Sequence, residues 1–222
     1  MPVVSMVPPA ADGAGRRPGL RERKKQRTRA TLIDAAVTLC LQQGYEATTV
    51  DQIAALADVS PRTFCRYFAT KDAVLLTLLD GFVDAVSARL ATIPPEVPAL
   101  QALKDAHVGV LREVSAGNVA GLSTERIAVM LQIINSTPGL KAAASGFPDA
   151  ASLAPLSARL GVPAEDRRLR LISAVWSAVI VTACGDLVTD CDGARLGPDL
   201  MADRIDEAWR SFATLTENLT CG

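Results

Sequence analysis

Between Gly44 and Lys71 the chain has room for two short helices, one tight turn and little else; the stretch reads GYEATTVDQIAALADVSPRTFCRYFATK. Gly44 sits where a preceding helix needs a left-handed stop. Thr49 and Gln52 have capping-box spacing: the threonine hydroxyl takes a backbone N–H of the new helix, and the glutamine reaches back. The helix that starts there is about two turns long. Asp58 tolerates a left-handed backbone better than most residues with a side chain. Ser60 is a good N-cap and Pro61 suits a first helical position, so another short helix begins at Pro61. At about 100° per residue, Phe64, Cys65 and Phe68 share one apolar arc, expected to be core. Arg62, Thr63, Arg66 and Tyr67 share the opposite face. Two short helices joined in this way, the second presenting donors outward, make a helix-turn-helix.

No strand-like alternation appears in the remainder, so the expected fold class is all-α. A first helix runs from about residue 21 to 43 with Leu32, Ala35, Ala36, Leu39 and Cys40 on one stripe. A long helix from Lys71 stacks Val74, Leu78, Phe82 and Val86 and ends before the prolines at 94, 95 and 98. Further helices are expected near 98–116, 122–136, 138–159 (interrupted at Gly146 and Pro148) and 163–189. In the last helix Met201, Ile205, Ala208, Phe212, Leu215 and Leu219 form a heptad seam, widened by Trp209. The helix before it is apolar on several sides. Two such helices per chain, paired across a two-fold axis, would bury the excess as a four-helix bundle. The expected interface residues are Trp176, Ile180, Ile205, Trp209 and Phe212. The expected divisions are a disordered tail (1–19), a helix-turn-helix domain (20–71) and an effector-binding and dimerisation domain (72–222).

Charge supports that split. Residues 1–71 hold 11 Lys+Arg against 6 Asp+Glu, a net of +5, whereas 72–222 hold 12 against 18, a net of −6. Residues 16–29 alone carry eight basic residues and one glutamate. Only the front of the chain is therefore suited to a polyanion such as double-stranded DNA. This basic arm can track the DNA backbone, reach into a minor groove, or simply raise non-specific affinity. The longest apolar stretch, 171–184, is too short to span a bilayer, so no membrane partner is expected. The N-terminus lacks a basic signal-peptide region. Five scattered cysteines without CxxC spacing suit reduced thiols in the cytoplasm. Catalysis lacks parts: there is one histidine, no GxSxG elbow, no metal-ligand cluster and no glycine-rich phosphate loop. Neither an enzyme nor a bound cofactor is expected.

Residues 44–75 resemble the DNA-binding segment of TetR-type (tetracycline-repressor-like) regulators: an aromatic after a glycine, then TTV, IA, VS, the TFCRYF stretch and a lysine three residues past its last phenylalanine. With the first helix the resemblance covers residues 20–75. The chain departs from the pattern at Asp58, where the family usually has glycine, and at Cys65, where an aromatic often stands. Residues 124–144 are similar to the effector domain of mycofactocin-regulator-like members. That resemblance implies an acyl-CoA-like or other apolar small molecule as effector.

The expected function is a dimeric, ligand-responsive transcriptional regulator, a repressor, binding a palindromic operator. The alternative is an architectural DNA-binding protein without an effector. Arg62 and Arg66 are candidates for pairing with guanine edges, with Thr63 adding a contact. Thr49, Tyr67 and Lys71 are candidates for phosphate contacts, Thr49 also serving as a cap. Phe82, Met130, Phe147 and Trp176 are candidates for an apolar effector pocket. His107 is expected to be structural.

Overall fold

The computed structural model of the protein describes residues 19–136, 150–187 and 195–220, and every regular element among them is a helix. In chain order these are α1 (Leu20–Gln43), α2 (Val50–Leu56), α3 (Pro61–Tyr67), α4 (Lys71–Thr92), α5 (Ala99–Ser115) and α6 (Thr124–Ser136). They are followed by α7 (Ala150–Leu160), α8 (Arg167–Cys184) and α9 (Pro198–Thr220). The expected tail falls almost wholly outside the described residues, as do Phe147 and the first part of the helix expected over 138–159. The helix expected over 163–189 is shorter at both ends. Asp166 caps its start by accepting the Arg168 N–H at 2.8 Å.

The turn between α2 and α3 follows from local chemistry. Asp58 has φ 54°, in the left-handed region. Around it Val59 N–H donates to Ala54 O (2.9 Å) and Asp58 N–H to Ala55 O (3.1 Å), the paired bonds of a Schellman ending. A side chain in that conformation is strained even when it is aspartate. Asp58→Gly is therefore expected to raise stability by about 0.5–1 kcal/mol, net of glycine's larger unfolded-state entropy. Urea unfolding checks it; a lower midpoint would mean that the aspartate side chain contributes more than its strain costs.

α1, α2 and α3 close on a small core in which Leu32, Ala36, Ile53, Ala54 and Phe64 are at most 1% exposed. The buried stripe of α1 is wider than the sequence suggests, adding Ile33 and Val37, because α4 and α6 also pack on it. α4 runs on from this unit into a larger core shared by α5, α6, α7, α8 and α9. Cations hold both of its ends on backbone carbonyls. At the start Lys71 Nζ donates to Tyr45 O (3.0 Å) and Thr48 O (3.1 Å). Just past the other end, Arg159 of α7 donates to Ile93 O (3.0 Å), Val97 O (3.1 Å) and Pro94 O. α6 forms a second bridge: Arg126 pairs with Asp34 of α1 at 2.5 Å, and the Asn135 amide donates to Cys184 O at the end of α8 and to Leu187 O just beyond it.

Of the heptad seam expected in α9, Met201 and Ile205 are buried and Leu215 is exposed, while the Leu219 side chain lies outside the described residues. Ile205 is 0% and Trp176 6% exposed, so these two expected interface residues lie in the protomer's own core. The reason is that α9 packs against both α5 and α8. Ile180, Trp209 and Phe212 are half-buried.

Candidate nucleic-acid interface

α3 is a seven-residue helix whose hold on the domain is made of rings. Phe64 is fully buried and Phe68 nearly so, with ring centroids 5.9 Å apart. The Arg29 guanidinium of α1 lies 5.2 Å from the Phe68 ring centre, a cation–π contact that fixes α1 against the end of α3. Ser60 starts the helix by accepting the Thr63 N–H (3.1 Å), and its hydroxyl also meets the Thr63 hydroxyl at 3.0 Å. The cap and Pro61 set the direction of α3, and the two phenylalanines set its rotation.

That rotation differs from the sequence expectation in one respect. Cys65, expected in the apolar arc, is exposed. So short a helix packs chiefly through Phe64 and Phe68, with Tyr67 half-buried at the side, and the flank carrying Cys65 is uncovered. The outward face is consequently centred on Arg62, with Cys65 and Arg66 beside it, while Thr63 and Tyr67 are half-buried at its edge. The Arg62 guanidinium makes no hydrogen bond or ion pair among the described residues. Arg66 lies over the Tyr67 ring at 5.3 Å. Ser60, Arg62, Thr63, Cys65 and Arg66 together line an open hollow of about 390 Å³.

Thr49 is exposed at the start of α2, and the expected capping box is present: Gln52 N–H donates to Thr49 Oγ1 (3.3 Å) and Thr49 N–H to Gln52 Oε1 (2.9 Å). Lys71 is half-buried and, besides its two carbonyl bonds, sits 4.1 Å from the centre of the Tyr45 ring. Two of its three ammonium hydrogens are thus committed inside the domain. Tyr45 itself was not among the expected site residues. Its hydroxyl donates to Asp72, and burial, followed by that carboxylate, pushes its pKa up. The signal for it is the aromatic directly after Gly44, which the motif contains without disclosing its partner. The basic run from Arg21 to Arg29 forms the exposed first turns of α1.

In the second core, Phe82 (4% exposed), Met130 (4%) and Trp176 (6%) are buried. Phe82 and Trp176 meet on His107, with ring centroids 6.0 and 4.9 Å from its imidazole. Among the described residues no group of three or more His, Cys, Asp and Glu is placed to hold a metal ion, and no helix is long and apolar enough to cross a membrane.

The sequence pattern of bacterial regulatory proteins, tetR family, matches residues 32–78, from the middle of α1 into α4. The HTH-type transcriptional regulator TcmR of Streptomyces glaucescens is 41% identical over 166 residues, which is 73% of this chain and 74% of TcmR. The HTH-type transcriptional regulator RutR of Escherichia coli strain K12 is 30% identical over 103 residues, 46% of this chain and 48% of RutR. Among solved structures, Thermus thermophilus FadR, a TetR-family transcriptional repressor in complex with lauroyl-CoA, aligns over 82% of this chain and 91% of its own, at 23% identity and a TM-score of 0.48. The named sequence relatives are regulators and not enzymes. With the family pattern lying over the helix-turn-helix and a transcriptional regulator alike across most of both chains, this chain belongs to the TetR family of bacterial transcriptional regulators.

Proposed function

We propose that the protein is a cytoplasmic, dimeric transcriptional repressor that binds a palindromic operator and is released by a small, largely apolar effector. The observation that carries this reading is the outward face of α3, where Arg62 and Arg66 stand on a helix anchored from behind by Phe64 and Phe68. Guanidiniums on a helix that fits the major groove pair with guanine edges. Thr49, Tyr67 and the third ammonium hydrogen of Lys71 then serve the phosphates on either side, and Thr63 adds a contact at the edge. Residues 20–71 are the DNA-binding unit in this reading, and 72–222 the effector and dimer unit.

A dimer is supported by apolar surface on the last two helices. Leu171 (65% exposed), Val181 (38%) and Leu215 (66%) face outward, beside the half-buried Ile180, Trp209 and Phe212. Two helix-turn-helix units bind half-sites about one DNA turn apart, whereas one unit has few contacts. An effector is supported by the aromatic cluster of Phe82, His107 and Trp176, with Met130 in the same core; an acyl-CoA-like chain has matching chemistry. To release DNA the effector must bind one conformation better than the other. Coupling of about 1–3 kcal/mol would weaken operator binding several-fold to about a hundred-fold.

The test is selection of bound sites from random duplex DNA at near-physiological salt. The expected result is a pseudo-palindrome with half-sites about one turn apart. Recovery of no motif, with binding that vanishes as salt rises, would favour the architectural alternative. On a selected site, Arg62→Ala is expected to cost about 1–3 kcal/mol and to relax preference at one position per half-site. Equal losses on operator and random DNA would remove Arg62 from base reading.

A further inference from the structure

We infer that Cys65 is a specificity-determining residue that reads a thymine through its C5 methyl group. The inference rests on α3 being the helix that enters the major groove. Cys65 is exposed, one helical turn beyond Arg62 and next to Arg66, and it lines the same open hollow as both. A cysteine side chain is a small, weakly polar group that packs as a hydrophobe. Major-groove edges present donors and acceptors on every base pair, and the thymine methyl is the one apolar group among them. A small apolar side chain set beside two arginines on one face therefore has one kind of base edge to match. The arginines take guanines, and Cys65 takes a thymine lying beside them. A long or aromatic side chain at this position would fill the hollow and keep a base edge from entering it. The thiol leaves the space open.

Replacing each thymine of a selected operator in turn with deoxyuridine removes only the C5 methyl. Affinities by fluorescence anisotropy are then compared for the full-length wild type, Cys65→Ser and Arg62→Ala. Because Cys65 lies outside the core, Cys65→Ser is expected to retain the wild-type unfolding midpoint. The expected result is one thymine per half-site at which deoxyuridine weakens wild-type binding about fourfold, the worth of one buried methyl. In Cys65→Ser the same replacement leaves affinity unchanged, while in Arg62→Ala it keeps its fourfold effect. Identical thymine penalties in wild type and Cys65→Ser would overturn the assignment, as would the absence of any penalised thymine. The recognition-helix reading fails separately, if Arg62→Ala keeps full operator preference; with that preference relaxed and no effect of Cys65→Ser, only the thymine contact is refuted.

Discussion

Phe64→Ala is expected to destabilise the DNA-binding unit by about 3–5 kcal/mol, the usual cost of truncating a buried phenylalanine. The residue is fully buried, its ring meets that of Phe68, and no other residue within α3 is buried. Single-domain stabilities lie at about 5–15 kcal/mol, so the loss takes a large share of what holds α1, α2 and α3 together. Operator binding should fall with it, even though Phe64 is buried behind the outward face of α3. Amide hydrogen exchange separates this from global collapse: α2 and α3 should lose protection while α5 and α9 retain it. A stability loss below about 1 kcal/mol would mean that the cap at Ser60, and not the ring, orients the helix. Phe64→Leu, which keeps most of the apolar volume, should recover much of the loss.

Acidification is expected to weaken the larger domain through His107. The half-buried imidazole of α5 lies between Phe82 of α4 and Trp176 of α8, with Nδ1 2.8 Å from Leu103 O and Nε2 3.3 Å from Trp176 Nε1. An indole N–H can only donate, so Nε2 is the acceptor and the ring proton sits on Nδ1, donated to Leu103 O. A second proton would be buried as a charge and would face the Trp176 N–H. Burial lowers the pKa from 6.5 to about 4, against a smaller upward pull from the Leu103 carbonyl. The unfolded chain then binds the proton more readily than the folded one. Stability is full above about pH 6.5 and declines as pH falls toward 4, by about 2–3 kcal/mol in all. Glu125, held below 4.5 by its own backbone N–H and Ser123, and Asp199, held below 3.8 by Ser115 and Arg112, lose their contributions only as pH falls below about 4.5 and 3.8 respectively. Thermal unfolding between pH 7 and 4.5 should therefore be markedly flatter in His107→Gln than in wild type. Parallel curves would show that the folded protein accommodates the imidazolium.

The turn and caps were legible because they are local. Thr49–Gln52, Ser60–Pro61 and Asp58 act on backbone groups within a few residues, and each stands where its chemistry requires. Cys65 was not legible. A helical wheel assigns it an arc but cannot say that a seven-residue helix turns Phe64, Tyr67 and the following Phe68 to its domain and leaves the Cys65 flank uncovered. The α9 seam leaves its partner open in the sequence, because Ile205 packing on α5 and α8 has the same spacing as packing on a second chain would have. Lys71 and Tyr45 belong to one motif, yet their contact spans 26 residues and needs the fold to bring it about. His107 likewise has neighbours from two other helices that no period within α5 records.

α4 can also be considered as a lever. Its 22 residues at 1.5 Å rise give an arm of roughly 33 Å, about the length of one turn of B-DNA. Arg159 grips the distal end through the carbonyls of the loop that follows, and Lys71 grips the proximal end through the carbonyls that precede α2. For an arm of that length, a tilt of about 2° at the distal end carries the proximal end by about 1 Å. Angular changes too small to disturb the packing around Phe82 and Leu90 are thereby magnified at the α3 end of the arm, and in the proposed two-fold assembly the two displacements would add.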